Sequence, residues 1–305
     1  MSIPANDDST RQKVAGISTS VKQTAMSRQA PFSVRRKWVL RARNGTVLTV
    51  CACLSLVLRR AGQPSKAIQG TGFSDVTEPF CQRSKQFQYR HHHSTHTDIV
   101  VYPDKFLNEM FFKNKTQGFY IEIGVLCPLS CSTGSFFDLE LCWEGLCVDG
   151  SKESHEATLS SPRTCSSQHG IICGSKSATD EFLQIRGGGE GYSGIRGFLT
   201  PDHLALIEAK EASGEWTVEK HMLNCIDIQH LLRKMQRSSV DLVLLDVEGA
   251  ELEVMKTFDF SELSVDVFSI ETDNEMELSA VMRSHGYDKV ATVGYDVVYR
   301  RRGFS

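Results

Sequence analysis

Carboxylates that end apolar runs can accept hydrogen bonds from a ligand or take a proton from it. This chain has several so placed. The densest case is VDLVLLDVEGAELEVMK, residues 240–256. Val240, Leu242, Val243, Leu244 and Leu245 suit a strand buried on both faces. The run breaks at Asp246, Glu248 and Gly249, and a helical pattern starts at once. Glu248 therefore suits either a ligand or the amino end of that helix, where acidic residues are favoured. Asp246 ends the strand before the turn and reads as a site residue. Glu122 in GFYIEIG, Asp149 in GLCVDGS and Glu271 in VDVFSIE repeat the arrangement. Gly124, just past Glu122, lets a ligand approach the backbone closely.

The elements that must hold these residues alternate. Strands are predicted at 118–123, 145–149, 170–173, 240–245 and 265–271, with helices at 104–112, 152–159 and 274–285. A hairpin turned at Gly294 is expected over 289–300. Such alternation implies a doubly wound, mostly parallel α/β sheet, whose strands share one carboxyl-end rim where ligands bind. Separate acidic residues thereby converge on one cleft. An acid ending the second strand suits ribose hydroxyls, but GxGxxG is absent after the first strand, where the chain reads GVLCPL. Nicotinamide chemistry is therefore not expected. The Gly-rich run 187–191 lacks a following Lys-Ser/Thr and reads as a loop near the cleft. The helical pattern over 201–212 reads as an insertion shaping acceptor choice.

Charge divides the chain. Between Ser9 and Ser74 there is no Asp or Glu, yet 12 of the 34 Lys and Arg residues fall there. From Cys81 onward 22 basic residues face 33 acidic ones. An acidic globular part argues against a nucleic-acid partner. Within the basic part, TVLTVCACLSLVL at 46–58 is 13 apolar-rich residues flanked by arginines. As a helix it spans ~20 Å, short of the ~30 Å hydrocarbon core, and it matches a signal-peptide apolar region. A signal anchor leaving the amino terminus cytosolic is expected, with membrane association through this run. A transit peptide fits the acid-free composition as a second address. The expected organisation is a targeting segment at 1–60, a flexible linker at 61–96 and a folded domain at 97–305. Nothing in the pattern speaks to oligomeric state.

Ten cysteines are present. Most are expected to be buried apolar residues. In an oxidising lumen, Cys165 and Cys173 are candidate disulfide partners across a short loop. No metal site is expected, because the histidine tract at 91–96 lacks cysteine or carboxylate ligands at tetrahedral spacing.

Over residues 98–300 the chain resembles the FkbM-type methyltransferases, which depend on S-adenosylmethionine. VDLVLLDVEGAELEVMKTFDF carries the likeness most strongly, with GFYIEIG, CWEGLCVDGS, VFSIETDN and the terminal HGY–GYDVVYR in the same order. The resemblance implies a seven-stranded, Rossmann-like sheet with the cofactor over the carboxyl ends of its first strands. It implies Glu122 and Gly124 on the methionine side, Asp149 on the ribose, and Asp246 and Glu248 at the methionine or acceptor region. Glu271 adjoins them, and Asp246 and Glu248 are candidate bases. The implied reaction is O-methylation of a small molecule, sugar or lipid. Departures fall in one loop: Cys127, Pro128 and Thr133 replace the family's Asp, Gly and Asn. Pro128 lacks a backbone donor. These departures keep open a non-catalytic relative, serving as a membrane-tethered interaction or trafficking module.

Overall fold

The computed structural model describes residues 88–89, 93–94, 100–173 and 177–305. The predicted apolar run at 46–58 and the boundary near residue 60 lie outside the described residues. Among the described residues no helix is long and apolar enough to cross a membrane.

A short ribbon pairs β1 (His93–Ser94) with β2 (Val100–Val101). The predicted helix at 104–112 is split: α1 (Pro103–Leu107) widens into a π-helical turn, Asn108–Phe112, closed by Lys113 in the left-handed region. There follow β3 (Phe119–Ile123), α2 (Gly134–Leu141), β4 (Glu144–Asp149), α3 (Lys152–Ser160) and β5 (Ser166–His169). Next come β6 (Thr179–Arg186), β7 (Gly194–Ile195), α4 (Pro201–Ala212) and β8 (Thr217–Asn224). The chain then runs through α5 (Ile228–Lys234), β9 (Ser239–Leu245), α6 (Glu251–Thr257), β10 (Ser264–Glu271) and α7 (Glu275–Ser284) to β11 (Tyr287–Val293) and β12 (Asp296–Arg301).

Seven strands form one sheet in the order β11-β12-β10-β9-β3-β4-β5. The five from β10 to β5 are parallel, while β12 runs antiparallel between β10 and β11. The central strands are apolar throughout because both faces are covered. Ile121, Val243 and Phe268 belong to a core layer with Leu232 of α5, Val254 of α6 and Leu278 of α7. Alternate residues Tyr120, Leu242 and Val267 join the other layer, with Phe136, Phe137 and Leu107. The β11–β12 turn places Gly294 at φ 67, a conformation costing glycine little.

Two parts of the expected order change. The strand predicted at 170–173 lies instead at Ser166–His169, and Ile171 makes only an isolated bridge to Cys225. SSQH is a polar, half-exposed sequence, so apolar periodicity passes over it. Between β5 and β9 the chain also builds a separate antiparallel sheet, β7-β6-β8. Its own small core joins Leu183, Ile185, Leu199, Ile207 of α4 and Trp216.

Candidate functional site

Register sets the site. Val148, Ile123, Leu245 and Ile270 are aligned across β4, β3, β9 and β10. The next residue on each strand is therefore Asp149, Gly124, Asp246 and Glu271, and Glu271 faces Asp296 across the β10–β12 pair. Predicted site residues from four strands thus reach one rim. The tips are held by Gly124 N–H donating to Val148 O at 2.9 Å and Asp246 N–H donating to Ile123 O at 3.0 Å.

Gly124 has a reason of its own to be glycine. At φ +88, a Cβ there would stand 1.7 Å from the Asp246 carbonyl oxygen. The close approach that demands glycine is thus made by the neighbouring strand tip. Beside it lies a cavity of about 30 Å³ lined by Glu122, Gly124, Thr133, Asp246, Ser269 and Asp296 among others. Asp149, Glu248 and Glu271 lie outside its lining.

Glu122 is buried and accepts hydrogen bonds from Ser132 Oγ at 2.8 Å, Gly134 N at 3.1 Å and Arg163 Nη2 at 2.8 Å. Arg163 is the hub of this wall. It also donates to Asp138 at 3.1 Å, Tyr120 Oη at 2.7 Å, Ser132 Oγ at 2.6 Å and the Pro128 carbonyl at 3.0 Å. Burial opposes its charge, but the Glu122 carboxylate and Tyr120 hydroxyl outweigh burial and hold its pKa above the ordinary arginine value. Burial raises Tyr120 far above an ordinary phenol. No sequence period marks SSPRTCSS, so Arg163 escapes sequence reasoning. Ser269 was more legible: a hydroxyl inside the apolar run VDVFSIE needs a partner, and its Oγ donates to Asp296 Oδ2 at 3.0 Å.

Asp149 is buried with both oxygens engaged. Oδ2 accepts from Val125 N at 2.8 Å and Leu126 N at 2.9 Å, and Oδ1 from Ser151 N at 2.7 Å. Burial raises its pKa against the pull of these backbone donors. Glu248 occupies a buried turn position with φ 59. A Cβ added to Gly194 of β7 would lie 3.3 Å from its Cβ, so Glu248 faces the inserted sheet. The amino end of α6 is served instead by Glu251, whose carboxylate accepts from Gly249 N at 3.0 Å and Val247 N at 3.1 Å.

The expected Cys165–Cys173 pairing is replaced. Cys165 bonds to Cys147, Cys173 to Cys225 and Cys127 to Cys131. The reason is β5, whose extended backbone lies between Cys165 and Cys173. Leu146 pairs with Ser166, which brings Cys147 and Cys165 together, while the Ile171–Cys225 bridge does the same for Cys173. Among the described residues no cluster of three or more His, Cys, Asp or Glu side chains is suited to a metal ion.

No curated protein matches the chain at a significant level. A family model, the methyltransferase FkbM domain, matches residues 143–289. That segment runs from the start of β4 into β11 and contains Asp149, Asp246, Glu248 and Glu271, whereas Glu122, Gly124 and the 125–133 loop precede it. Over residues 143–289 the chain is thus similar to the FkbM methyltransferase domain family.

Proposed function

We propose that this domain transfers a methyl group from S-adenosylmethionine to a hydroxyl of a small molecule, sugar or lipid. The rim carries the reading: Asp149, Gly124, Asp246 and Glu271 share one level on four adjacent strands of a sheet within and beside the family match. We read that sheet, with core layers on both faces, as doubly wound. In type and position these acceptors fit a nucleoside cofactor. Asp149 is set to accept ribose hydroxyls, with Glu122 and Gly124 toward the methionine side and Glu271 adjoining. Asp246 and Glu248 lie toward the acceptor. The ribose position is occupied in this conformation, because Asp149 holds three backbone N–H groups. Residues 125–133 must withdraw, freeing Asp149 for the ribose. Every ~1.4 kcal/mol of opening weakens apparent affinity about tenfold. When bound, the cofactor supplies an electrophilic methyl, and the chain's share of the work is alignment.

Calorimetric titration of the full-length protein with S-adenosylmethionine and S-adenosylhomocysteine tests this. Saturable binding that Asp149→Asn weakens at least tenfold is expected, by loss of a charge-assisted contact. Absence of binding at millimolar cofactor sinks the proposal. It would leave the second reading, a catalytically degenerate domain acting as a membrane-tethered interaction or trafficking module. That reading is favoured by the Arg163 contacts to Pro128 and Ser132, which tie the same loop to the domain.

The address belongs to the same proposal. The three disulfides whose two cysteines both lie among the described residues favour an oxidising compartment. We therefore place residues 97–305 in the secretory lumen, behind a targeting segment at 1–60 and a linker at 61–96, in preference to an organelle reached by a transit peptide. Carbonate extraction of the full chain checks membrane anchoring: recovery of uncleaved protein in the supernatant rules out the anchor.

A further inference from the structure

Asn114, Lys115 and Thr116 form an Asn-x-Thr triplet, the acceptor pattern for N-linked glycans. The pattern also occurs at Asn44, Gly45 and Thr46, at the start of the apolar run. Asn114 sits in a bend after the π-helical turn, with φ 48 at Lys113 and φ 64 at Asn114. Asparagine tolerates this left-handed conformation better than most residues. Lys113, Asn114 and Lys115 are all exposed.

Asn114 is held by its oxygen and its backbone, not by its amide nitrogen. Its Oδ1 accepts from Asn108 Nδ2 at 2.9 Å, and its backbone N–H donates to Asn108 Oδ1 at 3.0 Å. Among the described residues, Asn114 Nδ2 makes no hydrogen bond. Lys115 fixes the bend to the body of the domain: its carbonyl accepts from Trp143 Nε1 at 2.7 Å, and its ammonium pairs with Asp241. The bend precedes the amino end of β3, whereas the rim lies at the carboxyl end. Five strand residues separate them by ~17 Å, so a substituent at Asn114 leaves the rim clear.

We propose that Asn114 carries an N-linked glycan. Asn114 Nδ2 forms a bond to C1 of the reducing-end sugar of a lipid-pyrophosphate-linked oligosaccharide. The C1–O bond to pyrophosphate breaks, the lipid pyrophosphate departs, and one amide proton passes to a base of the transferase. No oxidant or reductant takes part. This inference rests on the luminal placement of the domain, which the disulfides support. With the amino terminus cytosolic, the Asn44 triplet stays out of reach of a luminal transferase.

The test expresses the full chain in cultured animal cells, with gel mobility read before and after peptide N-glycosidase. Protection of a carboxyl-terminal tag in intact microsomes is measured alongside. One downward shift is expected, abolished by Thr116→Ala and kept by both Thr116→Ser and Asn44→Gln. The serine variant separates loss of the acceptor pattern from a folding defect. A protected tag without any shift overturns the glycan and leaves the luminal reading standing. A digested tag overturns both. A shift removed by Asn44→Gln and not by Thr116→Ala overturns the assignment to Asn114.

Discussion

Arg163 neutralises two buried carboxylates with one buried cation, Glu122 on β3 and Asp138 on α2. Removing one member of such a cluster leaves uncompensated charge, which costs more than the intact cluster contributes. Arg163→Met is therefore expected to lower unfolding free energy by about 3–5 kcal/mol in urea titration. An unchanged midpoint would mean that the cluster does not hold the wall together. Glu122 was legible because it ends an apolar run, but its partner lies in a polar stretch with no period, and only the folded chain joins them. A second residue-scale test concerns pH. Burial raises the pKa of Glu251 against the backbone donors at Gly249 and Val247. Its folded form therefore binds more protons than its unfolded form between the ordinary carboxylate value and the raised one, so this contribution to stability falls as pH rises through that window. Glu251→Gln keeps an acceptor for the same N–H groups and removes the titration. Between about pH 4 and pH 7 its urea midpoint is expected to change less than that of the unsubstituted protein. Parallel curves would remove Glu251 as the cause.

At the scale of elements, the strands that reach the rim were readable because burial on both faces leaves a mostly apolar run. Ser239–Leu245 and Ser264–Glu271 behave this way. TDEFLQIR and TVEKHMLN did not, since β6 and β8 form a smaller sheet and β8 is largely exposed. Their pairing is antiparallel and non-local, and mixed polarity over eight residues does not announce it. The turn after β3 was read as a place for a ligand to approach, while the structure puts the Asp246 carbonyl there. Gly124→Ala tests which contact the glycine serves. With φ +88 and a Cβ 1.7 Å from that oxygen, the strand tips must part. The expected cost is about 3 kcal/mol or more, combining overpacking with a disfavoured backbone conformation. The Asp246 amide, which donates to Ile123 O, should lose hydrogen-exchange protection first. Unchanged protection there would show that the tips tolerate a methyl group.

For the whole molecule, the cysteines divide the labour between sheet and insertion. Cys147–Cys165 ties β4 to the approach of β5 with a sequence separation of 18, while Cys173–Cys225 has a separation of 52 and encloses β6, β7, α4 and β8. The second bond therefore closes the neck of the insertion, where Cys225 N–H also donates to Ala178 O at 2.9 Å. By loop entropy alone the two bonds are worth about 3 and about 4 kcal/mol. Their locations make the consequences differ. Cys147→Ser with Cys165→Ser loosens the segment that carries Arg163 and is expected to destabilise the seven-stranded sheet as a unit. Cys173→Ser with Cys225→Ser releases an insertion that has its own core around Ile185 and Trp216. That core is small, so the freed insertion should open below the global unfolding free energy. Hydrogen exchange is expected to show amides of β6 and β8 losing protection while those of β3 and β9 keep theirs. Equal loss in both sheets would mean that the insertion and the seven-stranded sheet unfold as one, and that the neck disulfide is no boundary between them.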